Sequence, residues 1–421
     1  MAESALIMAM DAGLASSAGL KAHLRAAKRR SQIRLILLAS PLILYTVLGF
    51  VIPLAFMLER SIDNSLLATY LARTKAVLGY WDGGTVPDAA YAALASDLLG
   101  VETKGKTALI GKTLNYEYDG FRTLVVATAR EMTAGKPVET RDALLQIDAR
   151  WGKIEYWQVL QRAAQPYTMR NLLAAVDLKQ LPDGEIVRTG AEARIHLTIL
   201  LRTILVSAAV CGLCLVLGMP VALILSSVSS RVRNLLLIFV MLPFWTPVLV
   251  RTTAWIVLLQ NEGVLNQALG ALGLIDEPLP LMYSRTGVII AMTHVLLPYM
   301  ILPIYVTMRG VSESYVRASL SLGASPLTTI RRVYLPLISP GIRSGCVLVF
   351  VLALGFYITP ALVGGPSDQM FSYLIAFHTS TTLNWGMASA LSLVLLACVG
   401  ILFFAMVKIL GPVKVSLEAG R

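Results

Sequence analysis

Charge is scarce in this chain. Of 421 residues only 14% are Asp, Glu, Lys or Arg, against 56% hydrophobic, and the mean hydropathy is +0.69. A soluble domain carries about a quarter charged residues, which sets this chain apart from an ordinary cytosolic enzyme. Cysteine is nearly as scarce. Cys211, Cys214, Cys346 and Cys398 all lie in apolar runs, so the polar stretch Glu59–Ile195 has no disulfide. Cys211 and Cys214 have redox-motif spacing but no βαβ pattern and no neighbouring ligands, which points to helix packing. His23, His196, His294 and His378 are scattered, and they support no metal site. A phosphate-cradling loop is also missing. Gly105-Lys-Thr-Ala-Leu-Ile-Gly111-Lys112-Thr113 comes near one, but the first glycine stands one residue early, with Lys106 in its place. Any energy from ATP must therefore arrive through a partner.

What is present is apolar length. Six runs, near Leu35–Leu58, His196–Leu225, Leu235–Leu258, Thr286–Met308, Ser344–Val363 and Trp385–Val407, suffice to cross a bilayer core of about 30 Å as helices. Pro243 and Pro247 interrupt the third and Pro360 the fifth; neighbouring helices can satisfy the backbone groups a proline frees. The formal charge of +11 is distributed unevenly. Residues 59–195 hold 17 basic and 17 acidic residues, so the excess belongs to the rest of the chain. Of its 19 basic residues, 16 precede the first run, follow the last, or lie between runs two and three or four and five. The opposite short loops hold Glu262, Asp276, Glu277 and Asp368 against Arg285 alone. The positive-inside rule then places both termini in the cytoplasm and residues 59–195 outside. Nucleic-acid binding is not indicated, because the basic excess flanks apolar runs rather than forming a soluble patch. The first run exceeds a cleavable signal core of 7–15 residues and reads as an uncleaved anchor.

The expected organisation is a cytoplasmic basic segment (1–34), a first span (35–58) and an outer insert (59–195). A core of five further spans (196–408) and a cytoplasmic tail (409–421) follow. The insert is large enough for a small domain. Pro87, placed at a helix's first turn, opens a helical pattern from Asp88. Gly120–Arg130, Thr140–Asp148 and the stretch after Trp151 also space apolar residues at helical intervals, so a mostly helical cap is expected.

The loop 309–343 carries the densest punctuation. Ser312 is placed to N-cap a helix running to Leu322, and Gly323 suits the left-handed residue that ends it. Ser325 N-caps a second helix with Pro326 at its first position. Leu335-Pro336 is expected to stop that helix, and Ser339-Pro340 to start the next. Tyr315, Ala318, Ser319 and Leu322 share one modestly apolar face. Leu322-Gly-Ala-Ser-Pro326 with Leu335-Pro-Leu-Ile-Ser-Pro-Gly341 resembles the signature loop of ABC-importer permeases. In that family the loop forms a coupling helix that docks in a cleft of the ATPase subunit. The family's Glu-Ala-Ala triplet falls here on Arg317-Ala318-Ser319. Met241–Gly263 and Gly355–Pro366 resemble the spermidine/putrescine-type branch.

The resemblance implies an all-α membrane protein with six spans in a type I importer fold. It implies coupling through Glu313, Tyr315, Arg317, Ala318, Ser319, Leu322, Gly323, Ala324, Ser325, Pro326, Leu335, Pro336, Pro340 and Gly341. The partners it implies are two ATPase subunits carrying ATP and Mg, a second permease subunit as a homologous hetero-partner, a soluble periplasmic substrate-binding protein and membrane lipid. The location would be a bacterial inner membrane. For a polycationic solute, aromatic faces and carboxylates are expected along the path. Trp245, Trp255, Tyr299, Phe356 and Tyr357 are the aromatic candidates, with Asp368 near the mouth. Arg251 is an intramembrane arginine and a functional suspect; it repels a cation and keeps anionic or zwitterionic cargo open. The competing reading is an ion- or proton-coupled secondary transporter or channel working without an ATPase, which usually carries intramembrane carboxylates. A membrane-anchored enzyme would need a nucleophile–base or metal constellation, and residues 59–195 contain neither Cys nor His.

Overall fold

A computed structural model of the chain describes residues 28, 33, 34, 36–101, 104–134 and 140–410. Lys21, Arg25, Arg29 and Arg30 of the basic segment lie outside the described residues, as do Lys414 and Arg421 of the tail. The chain divides into two units after Glu59. The first contains most of helix α1 (Ile36–Ile62), which is 27 residues long, free of charge as far as Leu58 and widened by one π-helical turn at Val47–Val51. At 1.5 Å per residue it measures about 40 Å, enough to span a bilayer.

In the second unit the insert comes first. Its helices are α2 (Ser65–Tyr70), α3 (Ala72–Leu78), α4 (Asp88–Leu99), α5 (Lys104–Asn115), α6 (Phe121–Thr133), α7 (Arg141–Ile147), α8 (Ile154–Ala163) and α9 (Arg170–Ala175). A short antiparallel hairpin follows, β1 (Leu178–Gln180) with β2 (Ile186–Arg188), turning at Pro182-Asp183-Gly184, where Gly184 takes φ +95°. The helical patterns after Pro87, Gly120, Thr140 and Trp151 form helices, although Pro87 is the N-cap of α4 rather than a residue of its first turn. Thr140 caps α7 by accepting the Ala143 N–H. The near-match to a phosphate loop lies wholly within α5, where helical bonding engages the amides beyond the first turn.

The insert has its own aromatic core. Trp151 and Trp157 are fully buried, and Tyr91 packs 4.5 Å from Trp157 between ring centres. Both indoles are satisfied: Trp151 Nε1 donates to Thr128 Oγ1 at 2.9 Å and Trp157 Nε1 to Trp151 O at 2.8 Å. The ends of this domain meet at a narrow neck. Asn64 N–H donates to Pro166 O at 2.9 Å, and Thr168 N–H to Ile62 O at 2.8 Å. Beyond the neck, α9 belongs to a different apolar cluster, in which Leu172 and Ala175 pack with Phe371, Leu374, Met387 and Leu391.

A bidentate ion pair on the insert gives a pH prediction. Arg150 Nη2 and Nε donate to the two Asp148 oxygens at 2.6 and 3.0 Å. The guanidinium holds the Asp148 carboxyl below its ordinary value, with burial acting in opposition and the Arg150 amide assisting. A carboxyl with a lowered folded-state pKa stabilises fully above the unfolded value of about 3.9, and the benefit is lost as pH falls through the folded value. Asp148→Asn is therefore expected to flatten the acid limb of the insert's unfolding, followed by tryptophan fluorescence. An unchanged acid limb would show the pair to be silent.

The remaining helices are α10 (His196–Ser227), α11 (Ser230–Trp245), α12 (Val248–Leu259), α13 (Val264–Ala271) and α14 (Arg285–Gly310). After them come α15 (Glu313–Ser321), α16 (Pro326–Leu354), α17 (Ile358–Val363), α18 (Phe371–Ser380) and α19 (Trp385–Leu410). Helices α1, α10, α14, α16 and α19 are each long and apolar enough to cross a membrane. The expected spans at Leu35, His196, Thr286 and Trp385 fall on α1, α10, α14 and α19. Two expectations need correction. The third span, Leu235–Leu258, is a broken pair: α11 and α12 meet at 100° across Thr246-Pro247. Proline removes an N–H and its ring disfavours helical geometry at the preceding residue; Thr246 before Pro247 is extended, with φ −98° and ψ 134°, and the break falls there. The fifth span is α16, which begins at Pro326 and ends at Leu354, not Ser344–Val363; α17 is separate.

Helices α10, α14 and α16 form the packed centre. Val210, Cys214, Met292, Leu296, Met300, Ile304 and Val349 are buried in it. Close approach is set by small residues, as is usual where lipid supplies no hydrophobic drive between helices. Gly341 and Gly345 of α16 face α14, where an added Cβ would stand 2.6 Å from Pro303 O and 2.8 Å from Met300 Sδ, respectively. Cys214 Sγ donates to Thr293 O at 3.6 Å, which fits the packing role read for the cysteine pair.

Candidate functional site

Two features stand out: a cavity among the membrane helices and the loop between α14 and α16. The cavity, about 370 Å³, lies where two helices break. One break is Thr246-Pro247; the other is Gly355–Tyr357, between α16 and α17. Backbone that leaves helical geometry at membrane depth must be buried in protein or line a cavity; Gly355–Tyr357 lines this one, and Phe244 and Val248 bring the flanks of the other break to its wall. Ser372 Oγ donates to Phe356 O at 2.8 Å, which occupies one carbonyl freed at the second break.

Four of the seven path candidates line this cavity: Arg251, Tyr299, Phe356 and Tyr357. The Phe244 ring packs 4.7 Å from Tyr299. The other three lie elsewhere. Trp245, the last residue of α11, is 73% exposed and does not line the cavity. Trp255 Nε1 donates to His294 Nδ1 at 3.2 Å, which ties α12 to α14. Asp368 is buried and paired with Arg285 at 3.2 Å, so it is not a free carboxylate at a mouth. Thr252 and Thr359 share a 3.0 Å hydrogen bond that fixes α12 against α17. Sequence reasoning did not find Pro243 as a wall of the cavity, nor Phe244, Val248, Val295 and Ile358. Apolar residues within apolar runs carry no local mark of facing a cavity.

The loop is a capped double turn. Ser312 Oγ accepts the Ser314 N–H at the start of α15. At its end Gly323 takes φ +83° and donates to Leu320 O at 3.0 Å, while Ala324 N–H donates to Ser319 O at 3.2 Å. That pair of bonds is a Schellman ending. Ser325 Oγ accepts the Thr328 N–H at the start of α16, with Pro326 at the first position. Ser319 and Thr329 hydroxyls, 3.0 Å apart, join the two helices, and Thr329 is buried. Tyr315, Leu322 and Leu327 stand out from this frame, Leu322 at 88% and Leu327 at 76% exposure. Arg317 pairs with Glu313 one turn back on the same exposed helix face, so part of its charge is answered locally.

One expectation about the loop is overturned. Leu335-Pro336 does not end the second helix: α16 runs through it from Pro326 to Leu354. A π-helical turn at Ile330–Tyr334 precedes the proline, with Leu335 N–H donating to Ile330 O. The widened turn makes room for the Pro336 ring near the carbonyl four residues back. Pro340 leaves the Pro336 carbonyl without its helical donor, and Ser339 Oγ supplies one at 2.8 Å. Ala318 stays exposed on α15, and Gly341 lies not on the loop but in the α14–α16 contact.

Residues 215–414 match the family model described as binding-protein-dependent transport system inner membrane component. The chain is 35% identical over 189 residues to the spermidine/putrescine transport system permease protein PotB of Escherichia coli (strain K12), covering 45% of this chain and 69% of that protein. The chain belongs to this permease family. It is also 34% identical over 227 residues to the inner membrane ABC transporter permease protein YdcU of the same organism, covering 51% of this chain and 71% of that one. Among solved structures it aligns with a bacterial alginate ABC transporter in complex with alginate pentasaccharide-bound periplasmic protein. That match has a TM-score of 0.41 and 19% identity over 51% of this chain and 77% of that one.

The protein is thus a multi-pass inner-membrane permease subunit of a binding-protein-dependent ABC importer, all-α in its membrane part. The permease family works with an ATPase and a substrate-binding protein. Cavity and loop both lie on the matched segment 215–414, and one helix, α16, joins them: it starts at the loop and contributes Leu352 to the cavity wall.

Proposed function

We propose that this subunit forms half of a translocation path, pairs with a homologous second permease subunit and is driven by two ATPase subunits that hold ATP and Mg. The observation that carries this reading is the continuity of α16. Its 29 residues run about 43 Å from the loop to the cavity, so a push on the loop is delivered to the cavity by a single helix. The exposed side chains Tyr315, Leu322 and Leu327 offer the apolar contact for the ATPase cleft, and Schellman and serine caps keep the loop stiff. Closure of the ATPase pair then shifts an equilibrium between inward- and outward-open arrangements.

The Lys and Arg distribution supports cytoplasmic termini, with the loop on the ATPase side and the insert outside. The insert supplies the large outward surface for docking the soluble binding protein. Similarity to PotB supports a small amine-bearing organic cargo of the spermidine/putrescine kind or one related to it.

The test is reconstitution of the subunit with its second permease, ATPase and binding protein in proteoliposomes. Uptake is expected only with ATP and binding protein together; uptake without an ATPase would favour the secondary-transporter reading. The neck defines a clean deletion. Replacing residues 66–165 by a short glycine linker keeps the Asn64–Pro166 and Ile62–Thr168 contacts and leaves α9 in place. That variant is expected to insert normally and to lose stimulation of ATP hydrolysis by the binding protein. Full stimulation would remove the docking role from the insert.

A further inference from the structure

The cavity holds a charge with no counter-charge. Arg251 lines it from the first turn of α12, just past the 100° break. Its Nη2 donates to Thr246 O at 3.3 Å, a carbonyl at the end of α11. Its Nε is buried and has no hydrogen-bond partner. Among the described residues no Asp or Glu lines the cavity; the wall otherwise presents Phe244, Tyr299, Phe356 and Tyr357. The acidic residues nearest in sequence are engaged or distant, with Asp368 paired to Arg285 and Glu262 lining a different cavity. A half-buried guanidinium with an unmet donor and no facing carboxylate carries a desolvation cost, and an oxyanion that bonds its remaining donors offsets it. A fork of N–H donors beside aromatic faces fits a carboxylate attached to a short chain.

We infer that the cavity receives the carboxylate of the cargo, and that Arg251 is the residue that selects for it. This rests on the importer reading above and narrows its cargo: the solute carries a carboxylate beside its amine, rather than amines alone. The rings of Tyr299, Phe244 and Phe356 then face the solute's alkyl chain or its ammonium. A bare diamine entering the same cavity meets a fixed positive charge with no carboxylate from this subunit to offset it. Cargo choice at the membrane thus adds to whatever the binding protein selects. The other source of an acceptor is a carboxylate side chain of the second permease subunit, and the experiment separates the two.

The measurement is equilibrium binding to the intact importer in lipid nanodiscs, without nucleotide or binding protein. Two radiolabelled probes of matched length are used: an ω-amino carboxylate and the diamine in which an ammonium replaces its carboxylate. The wild-type importer is expected to hold the amino carboxylate at least about tenfold more tightly, the scale of one charge-assisted contact. Arg251→Gln is expected to erase or reverse that preference, and Arg251→Lys to retain part of it, since charge survives but the fork geometry does not. ATP-driven uptake through the binding protein is followed in parallel. If that uptake persists while the diamine binds as tightly as the amino carboxylate, or neither probe binds, the carboxylate inference fails and the importer reading stands. Equal losses for both probes in Arg251→Gln, with a less stable permease pair, would assign the counter-charge to the second subunit and overturn the inference. Absence of ATP-driven uptake under every condition would remove the importer reading itself.

Discussion

Gly341→Ala is expected to leave little or no correctly folded permease, although it adds a single methyl group. Gly341 lies on α16 where that helix crosses α14, and a Cβ there would overlap Thr307 Oγ1 and stand 2.6 Å from Pro303 O. Neither neighbour can yield easily. The Pro303 carbonyl is backbone, and it already accepts the Thr307 hydroxyl at 2.9 Å. One helical turn on, a Cβ at Gly345 would press on Met300 O at 3.2 Å as well as on the Met300 sulfur. The two glycines form a small-xxx-small stripe, so relief requires the whole crossing to open. Overpacking of a core typically costs about 1–3 kcal/mol, and more when backbone is the obstacle. Opening this crossing also separates the loop end of α16 from the helix that precedes the loop. Gly212→Ala supplies the contrast, because its added Cβ meets nothing within 4 Å. On α10 that change should be neutral or stabilise by about 0.5–1 kcal/mol through helix propensity. Thermal unfolding of the detergent-solubilised protein, with size exclusion before heating, reads both variants. A wild-type melting curve for Gly341→Ala would mean that the helices do not approach as closely as described.

Four of the long membrane helices were legible because sustained apolarity over more than 20 residues admits one interpretation at membrane depth. The loop caps were legible for a related reason: Ser312, Gly323, Ser325 and Pro326 each have a backbone role that few residues fill. The fate of α16 was hidden. Leu335-Pro336 reads locally as a helix stop, and only the π turn before it and the Ser339 hydroxyl after it allow the helix to continue. The cavity was half legible. Arg251 marks itself by charge, and Tyr299, Phe356 and Tyr357 by aromatic character in a membrane run. Trp245 and Trp255 carry the same character but lie off the cavity wall, Trp245 exposed and Trp255 bonded to His294. A one-dimensional pattern locates the α11–α12 break through its prolines but contains no angle. Asp368 was misread for another reason: its partner Arg285 lies 83 residues away in sequence, and only the fold brings the pair to 3.2 Å.

Gly323→Pro is expected to disconnect ATP hydrolysis from uptake while leaving membrane insertion intact. Gly323 holds φ +83° and donates its N–H to Leu320 O at 3.0 Å. Proline has no N–H and a φ fixed near −65°, so both features of the turn are lost together. It also disfavours helical geometry at the preceding residue, Leu322, the most exposed apolar side chain of the loop. The damage stays local, since an added Cβ at Gly323 meets nothing within 4 Å and α16 is anchored separately by the Ser325 cap and buried Thr329. Uptake by the reconstituted importer should fall by at least about tenfold, which corresponds to roughly 1.4 kcal/mol or more of lost coupling. Hydrolysis should persist and respond only weakly to the binding protein. A graded series sharpens the test. Gly323→Asn keeps a residue that tolerates the left-handed conformation and should transport nearly normally, whereas Gly323→Ala costs about 1–2 kcal/mol of backbone strain and should fall between. That order follows from backbone conformation alone, because neither substitution adds charge or removes the N–H. If Gly323→Pro transported with normal coupling, the loop would not be the element through which ATP hydrolysis acts. If alanine and asparagine were equally damaging, the left-handed turn would not be the property that matters.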